Sequence, residues 1–199
     1  MANVSTAKVM ITAEKVGPEL EAYIEASADS DYNILDTDPD GYTVEKQGDT
    51  WTFTGLASGQ WNYGNNLEGY FSQTDEQSAP VFAAGWIEDE ARALADALKE
   101  RDGVIRFVVA DSEEGMGWVE TSTAVCQVEH NGRLSCEKVS AGRQDYTTAN
   151  VMAAYGCTLR EAAHLMLEED ADEFFEEWED EYRGRDPSPE DFDEWAGVC

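Results

Sequence analysis

The chain has 199 residues, of which 42% are hydrophobic and 11% aromatic, so it can bury a sizeable core and does not have the composition of a disordered protein. Forty-three Asp and Glu against thirteen Lys and Arg give a formal net charge of −30 at pH 7. This charge argues against direct binding of DNA, RNA or an anionic membrane, because these polyanions would repel the protein.

The spacing of apolar residues predicts six elements up to residue 110. Their order is strand, helix, strand, strand, helix and strand, at residues 6–13, 17–26, 42–47, 50–55, 87–100 and 104–110. The clearest is the hairpin of residues 42–47 and 50–55, in which Gly48 and Asp49 form the turn. Residues 58–80 are predicted to form a long polar loop.

This order of elements is that of the ferredoxin-like fold, in which two helices cover one face of an antiparallel sheet. Residues 116–129 and 133–139 are predicted as two further strands, which extend the sheet or form an arm. We therefore expect an α+β domain over residues 1–141, with a ferredoxin-like βαββαβ antiparallel sheet and an extra β-hairpin.

The extra hairpin contains two of the four cysteines, Cys126 and Cys136. A two-residue turn at Asn131 and Gly132 would place Cys126 opposite Glu137, so the two cysteines would point to opposite faces of the ribbon. The sequence therefore predicts free thiols rather than a disulfide, which suits a reducing compartment.

Residues 142–199 are predicted to be a separate acidic helical region, because helix-forming residues dominate there. A short helix is expected to end at Gly156. Thr158 and Glu161 then form a capping box that opens a long helix, which extends to about Arg183. The fold expected for the whole chain is thus an α+β domain with a C-terminal acidic helical appendage.

Two stretches of the first region resemble a known family. They are WTFTGLASGQWNY, which begins at Trp51, and VIRFVVADSEEGMGW, which begins at Val104. Set in the βαββαβ order, they are similar to the Api92-like/YubB ferredoxin-fold proteins of plasmids and phages, over at most residues 6–120. The resemblance implies a ferredoxin-like fold encoded on a mobile element, and it brings no catalytic residues with it.

The strongest functional feature is the concentration of acidic side chains near the C-terminus. Residues 161–194 contain sixteen acidic and two basic side chains, whereas residues 1–160 contain 27 and eleven. As a single helix, residues 159–183 would carry eleven acids over about 37 Å. The resulting spacing of roughly 3.4 Å per charge is close to that of phosphates along one strand of DNA.

Such a helix would have two different faces. The aromatic face, with Phe174, Phe175 and Trp178, is expected to dock the helical region onto the rest of the protein. The acidic face is the candidate partner-binding site, and its residues are Glu168, Glu169, Asp172, Glu173, Glu176, Glu177, Glu179 and Asp180.

A rigid row of like charges can imitate the phosphates of a nucleic acid. The sequence therefore predicts a non-enzymatic inhibitor from a phage or plasmid, of the anti-CRISPR or anti-restriction type, which blocks a basic DNA- or RNA-binding groove of a host defence complex. Repulsion between these like charges destabilises the helix. Because this cost has to be offset, the row favours a functional role over a plain solvated face. The alternative is a highly acidic halophilic or scaffold protein without mimicry. Halophilic proteins are acidic and poor in lysine, and this chain has five Lys against eight Arg.

A second alternative is a calcium-binding module at Asp36–Asp40. Asp36, Asp38 and Asp40, followed by Gly41, match the opening of an EF-hand calcium loop. The twelfth position is Gln47 instead of a bidentate Glu, and a strand rather than a helix is predicted to follow. The pattern therefore favours a Pro-Asp-Gly turn that holds no metal.

The sequence contains no nucleophile paired with His and Asp at a recognisable spacing and no Gly-rich phosphate loop, so we expect no enzymatic activity and no cofactor. Residues 1–16 lack the apolar segment of a signal peptide. No apolar run reaches the roughly 18 residues of a membrane span. These features predict a protein of the host cytoplasm whose partner is a nucleic-acid-binding protein.

Overall fold

The structure is a computed structural model that describes residues 4–28, 33–37, 41–60, 62–71, 88–113, 116–130, 132–167, 170–182 and 184–198. The strands in these ranges are β1 (Val4–Glu14), β2 (Tyr42–Gln47), β3 (Thr50–Gln60), β4 (Val104–Glu113), β5 (Trp118–Val128) and β6 (Leu134–Asp145). The helices are α1 (Gly17–Ala26), α2 (Tyr63–Phe71), α3 (Glu88–Arg101), α4 (Thr148–Tyr155), α5 (Leu159–Leu167), α6 (Asp170–Glu181) and α7 (Pro189–Ala196). Among these helices, none has both the length and the apolar character that crossing a membrane requires.

The six strands form one antiparallel sheet in the order β2-β3-β1-β4-β5-β6. The predicted combination of helices with an antiparallel sheet is confirmed, and β5 and β6 extend that sheet. The order of elements differs from the prediction because both α2 and α3 lie between β3 and β4. In addition, β6 continues to Asp145, past the expected domain boundary at residue 141.

The β2–β3 hairpin has the predicted register. Val44 pairs with Phe53, and Lys46 pairs with Trp51. Phe53 is fully buried. The Lys46 ammonium lies over the Trp51 ring, 3.6 Å from its centroid. Gly48 in the turn has a φ of +61°, a left-handed conformation that glycine adopts without steric strain. The period-two alternation of the sequence was therefore sufficient to place these two strands.

The prediction of a long polar loop over residues 58–80 is wrong for its first part, where β3 continues and α2 follows. Tyr63, Leu67 and Phe71 recur every four residues, so they share one face of α2, and all three are fully buried. Burial of this apolar face stabilises a helix that its polar and glycine residues do not suggest. Residues 72–80 lie outside the described residues.

The prediction of free thiols in the β5–β6 hairpin is also wrong. Cys126 pairs directly with Cys136, and the two residues form a disulfide. The backbone N–H of Glu129 donates to the carbonyl of Arg133 at 2.8 Å, so three residues instead of two connect the strands. Gly132, the last of the three, has a φ of +81°, as is typical of three-residue hairpin loops. One additional loop residue shifts the register by one and turns both cysteines to the same face.

Replacement of both cysteines by alanine should lower the free energy of unfolding by about 2–3 kcal/mol, because the disulfide restricts the unfolded chain between residues 126 and 136. Urea denaturation of the variant and of the wild-type protein measures this difference. Reduction should make the intact wild-type protein heavier by two hydrogens, and a mass that reduction leaves unchanged would contradict the disulfide.

The sheet separates two hydrophobic clusters. The first includes Val9, Ile11 and Phe107 of the sheet together with buried residues of α1, α2 and α3. The second includes Ala110 and Val119 of the sheet together with buried residues of α4, α5, α6 and α7. Adjacent residues of β4 thus serve different clusters, because successive side chains of a strand point to opposite faces.

The C-terminal helices are attached to the sheet through α4. The Tyr155 hydroxyl donates to the carbonyl of Thr6 at 2.7 Å and lies 2.8 Å from the hydroxyl of Ser112. The Lys8 ammonium donates to the carbonyl of Tyr155 at 3.0 Å. Docking was expected from the aromatic residues of α6, whereas these pack against the aromatic residues of α7.

The single helix predicted over residues 159–183 is divided into α5 and α6. Arg160 Nη1 and Asp172 Oδ1 lie 3.1 Å apart, although twelve residues of one straight helix would separate their backbones by about 18 Å. The two helices are therefore not collinear. This division places Asp170, Asp172 and Glu173 in the first turn of α6, where the helix dipole stabilises acidic side chains.

Candidate functional site

The predicted acidic row lies on α6, and there it forms an exposed surface. We call this the acidic surface, and its described residues, all exposed, are Asp172, Glu173, Glu176, Glu177, Glu179 and Asp180. Glu168 and Glu169, also predicted for the row, lie outside the described residues. The twelve residues of α6 span about 18 Å, so the row on this helix is shorter than the 37 Å expected of a single helix.

Asp172 differs from the rest of the acidic surface because two basic side chains of α5 face it. Arg160 Nη1 lies 3.1 Å and His164 Nε2 lies 3.4 Å from Asp172 Oδ1. An exposed pair of this kind adds little stability, but it compensates part of the local charge. Asp172 therefore attracts a basic partner less than its formal charge implies.

The side of α6 opposite the acidic surface is aromatic, as the sequence predicts. Phe174 is 2% exposed, and its ring centroid lies 5.0 Å from that of Phe175. The same ring lies 5.0 Å from Phe192 and 5.5 Å from Trp195, both of which belong to α7. These contacts fix the rotation of α6 about its own axis, so the acidic side chains are held toward solvent.

Several carboxylates of the acidic surface are held close together. Glu176, Glu179 and Asp180 line one open depression. Glu177 is oriented by a hydrogen bond, in which Trp195 Nε1 donates to Glu177 Oε2 at 2.9 Å. Like charges that converge on a concave surface raise the local negative potential, which concentrates cations there.

The EF-hand-like pattern has little support in the described residues. Of its three aspartates the structure describes only Asp36, whose backbone N–H donates to the carbonyl of Leu56 at 2.8 Å, and Asp38 and Asp40 lie outside the described residues. The segment that follows is the strand β2 and not the helix of an EF-hand. Within the described part of the chain, no group of three or more His, Cys, Asp or Glu side chains is arranged to hold a metal ion.

A buried polar site, which the sequence patterns did not predict, lies beneath α2. Asp111 is 1% exposed, and its Oδ2 accepts a hydrogen bond from the backbone N–H of Gly64 at 3.4 Å. Glu120, its neighbour across β4 and β5, is paired with Lys138 Nζ at 2.8 Å and with Arg143 Nε at 3.2 Å. The signal that could have located this site is an acidic residue at an inward-facing position of an otherwise apolar strand.

The two carboxyl groups of this polar site have opposite pKa shifts. Burial raises the pKa of Asp111 to about 6, although hydrogen bonds from nearby donors favour its ionised form. Burial would also raise the pKa of Glu120, but the contacts with Lys138 and Arg143 outweigh it and lower that pKa below its usual value. Asp111 therefore exchanges its proton not far below neutral pH, whereas Glu120 stays ionised.

Asp111→Asn should make the stability of the protein less dependent on pH. Because the pKa of Asp111 is higher in the folded state than its ordinary value of 3.8, protonation favours folding, and this contribution is lost as the pH rises from about 4 to about 6. The asparagine carbonyl still accepts from Gly64. We expect the variant to be more stable than the wild-type protein at about pH 8, by on the order of 2 kcal/mol, and this advantage to disappear near pH 4.

Urea denaturation of both proteins across this pH range measures the difference in the free energy of unfolding. The many other carboxyl groups of the chain titrate in both proteins, so their contribution cancels in that difference. A difference that is constant from pH 8 to pH 4 would contradict the assigned role of Asp111.

A second feature that the sequence did not predict is formed by aromatic residues, of which Phe174, Phe175 and Trp178 were expected only to pack. Trp178, Tyr182 and Trp195 line a hollow between α6 and α7, with Phe174 at its base, and we call these four residues the aromatic groove. Tyr182 is 41% and Trp195 38% exposed, so two of the four rings meet solvent over much of their surface. The spacing of α6 alone could not show this, because Trp195 belongs to a different helix.

Comparison with known proteins gives no match: no family model, no curated protein and no solved structure is similar to the chain. Any function must therefore be argued from the charges, contacts and exposure of the residues themselves.

Proposed function

We propose that the protein is a non-enzymatic inhibitor that occupies the basic groove of a nucleic-acid-binding host protein or complex. The acidic surface of α6 takes the place of the phosphates that the groove normally binds. Inhibitors of restriction enzymes and of CRISPR effectors act on such grooves, and an origin on a mobile element is part of this proposal.

The observation that carries this proposal is the division of α6 into an acidic and an aromatic side. The aromatic side is anchored on α7 through Phe174, which is almost fully buried. The acidic side is exposed along the whole helix, and Asp172 is its only member for which an ion pair with a described residue is found. A preorganised row of charges loses little conformational freedom on binding, so more of its electrostatic attraction contributes to affinity.

Competition with nucleic acid follows from the charges involved. Lys and Arg side chains of the groove contact phosphates when nucleic acid is bound. In the proposed complex they contact Glu and Asp side chains, so the two ligands exclude each other. At physiological salt, the attraction between exposed charges is largely screened beyond the Debye length of about 8 Å. This length shrinks as the salt concentration rises, so the complex should weaken.

A second candidate function is that of an acidic scaffold or halophilic protein, in which the charge serves solubility. The excess of 27 acidic over eleven basic side chains in residues 1–160 favours it, because this part of the charge lies outside α6. Thermal melts in low salt and in molar KCl separate the candidates. A protein that is unfolded at low salt and folds only in molar KCl favours the halophilic candidate, whereas mimicry requires a protein that is already folded at low salt.

We also infer that β1 to β4 with α1 and α3 form a ferredoxin-like unit. This inference is supported by the order β2-β3-β1-β4 of four neighbouring antiparallel strands and by the packing of both helices against one face of the sheet. The helices after β6 then form the second region, which presents the acidic surface.

The proposed function is tested by affinity capture with three matched baits. These are the wild-type protein, a variant with the acidic surface reversed (Glu173→Lys, Glu176→Lys and Asp180→Lys), and a control with the same net charge (Glu45→Lys, Asp96→Lys and Glu100→Lys). All six side chains are exposed, and those of the control lie on β2 and α3.

Wild-type and control baits should retain the same nucleic-acid-binding proteins from a host extract, and added duplex DNA or RNA should release them. The reversed bait should retain none of them. Retention of the same proteins by all three baits, or a captured protein that nucleic acid does not release, would contradict the proposal.

A further inference from the structure

The aromatic groove combines exposed ring faces with an acidic rim. The rings of Trp178 and Tyr182 are stacked, with centroids 4.4 Å apart and an angle of 28° between the planes. The hollow has a volume of about 250 Å³, which is enough for the head group of a long side chain. Tyr182 and Trp195 remain exposed, so a ligand can reach the rings from solvent.

The rim of the groove is formed by carboxylates from both helices. Glu177 and Glu181 of α6 and Glu194 of α7 line the same hollow as the rings. Glu177 is held in place by the indole N–H of Trp195. The face of an aromatic ring carries negative electrostatic potential, so rings and carboxylates together favour a cation and disfavour an anion or a purely apolar group.

One side chain of the protein itself already shows which cation suits this environment. The guanidinium of Arg185 lies 5.5 Å from the centroid of the Trp178 ring, and its Nη2 lies 3.5 Å from Asp191 Oδ2. The Arg185 carbonyl accepts a hydrogen bond from Trp178 Nε1 at 2.7 Å, which holds the arginine backbone at the edge of the groove. The ring faces of Tyr182 and Trp195 are left partly open to solvent.

The geometry points to the aromatic groove as a binding site for an arginine side chain of the partner. The incoming guanidinium stacks on the exposed rings of Tyr182 and Trp195 while its N–H groups donate to the carboxylates of the rim. Arginine suits the groove better than lysine, because its guanidinium is planar, is more weakly hydrated and can donate two parallel hydrogen bonds to one carboxylate.

This inference rests on the proposed function for the identity of the partner, a basic groove, and it adds which side chain of that groove is recognised. It gives the C-terminal helical region two modes of contact. The acidic surface supplies attraction that any cation satisfies, and the aromatic groove supplies a preference for guanidinium.

The test uses peptides of six arginines and of six lysines, which have equal charge, and isothermal titration calorimetry of each against the full-length protein. The ratio of the lysine to the arginine dissociation constant measures the preference of the groove for guanidinium. General attraction to the acidic surface acts on both peptides and cancels in this ratio. Trp195→Leu with Tyr182→Leu removes both exposed rings and keeps every carboxylate. We expect this variant to lower the ratio by up to about fivefold, because an exposed cation–π contact is worth about two- to fivefold in affinity and the lysine peptide loses part of that contact too.

Two further variants keep this test independent of folding. Trp195→Phe with Tyr182→Phe retains aromatic rings and should keep most of the wild-type ratio. Phe175→Leu removes a ring of the same helix that does not line the groove and should leave the ratio unchanged. An equal ratio in the wild-type protein and in the doubly substituted leucine variant, with circular dichroism showing both folded, would overturn the inference.

The outcome is separable from that of the capture experiment. An unchanged ratio together with partner loss by the reversed bait leaves mimicry intact and rejects the aromatic groove as a site. A lowered ratio together with capture by all three baits supports the groove and rejects mimicry.

Discussion

Reversal of three charges on the acidic surface should weaken binding of the partner by on the order of a thousandfold. The variant is Glu173→Lys, Glu176→Lys and Asp180→Lys, and each change replaces an attraction to a basic groove by a repulsion. Charge pairs at such interfaces are commonly worth about 1.5 kcal/mol or more, and three of them correspond to about three decades in dissociation constant. Titration of the purified partner by calorimetry measures the loss.

The fold of this variant should survive, because all three side chains are exposed and lie opposite the aromatic side of α6. Lysine at position 173 would face Glu177 one turn away, and lysine at position 176 would face Asp172, so these two repulsions become attractions, while the repulsion among positions 173, 176 and 180 is about the same as before. The control variant with lysines at positions 45, 96 and 100 should bind within about threefold of the wild-type protein, since general long-range attraction is its only loss. Equal weakening in both variants would assign the effect to net charge and contradict a specific surface.

Phe174→Ala should destabilise the C-terminal helices by about 3–5 kcal/mol. Phe174 is 2% exposed and contacts aromatic rings on both helices, among them Phe192 and Trp195 of α7. Truncation removes buried apolar surface and leaves a cavity that the surrounding rings fill only in part. Urea denaturation followed by circular dichroism measures the change in the free energy of unfolding.

Phe175→Ala is the matched control, because Phe175 is on the same helix but only partly buried. Its ring carries the stacked guanidinium of Arg160 at 4.0 Å, so we expect a cost of about 1–2 kcal/mol. If Phe174→Ala were no more costly than Phe175→Ala, the anchoring of α6 on α7 would be refuted, and with it the preorganisation of the acidic surface.

Strands were predictable from the sequence where local periodicity alone determines them. The β2–β3 hairpin has the predicted pairs because alternation and the turn at Gly48 act within a few residues. The β5–β6 hairpin shows the limit of this argument. The three-residue loop before Arg133 differs by one residue from the expected turn, and that single step converts two separated thiols into the Cys126–Cys136 disulfide.

Helices were mispredicted where contacts between distant residues decide their limits. α2 is stabilised by the burial of Tyr63 and Phe71 in the cluster on the sheet, and this contact joins segments that are far apart in the sequence. The break between α5 and α6 accompanies the packing of Met166 and Phe174, one from each helix, into a single hydrophobic cluster. The helical periodicity of the sequence continues from α5 into α6. It therefore could not distinguish one long helix from two helices that pack together.

The candidate site was predicted as a face but not as a three-dimensional surface. Exposure of Glu173 and burial of Phe174 follow from helical spacing, and the structure has both. The aromatic groove needs Trp195 from α7 beside Tyr182, which follows α6, and the buried Asp111 needs α2 above it. Both are created by tertiary packing, which a sequence pattern along one element does not encode.

The central claim is that the acidic surface and nucleic acid compete for one groove, and a single titration tests it. A complex of the captured partner with fluorescently labelled nucleic acid is titrated with the wild-type protein, and the anisotropy of the label reports release. We predict complete release, with an apparent dissociation constant of the nucleic acid that rises in proportion to the concentration of added protein. A ternary complex that retains the label, or an apparent dissociation constant that does not change, would contradict the account.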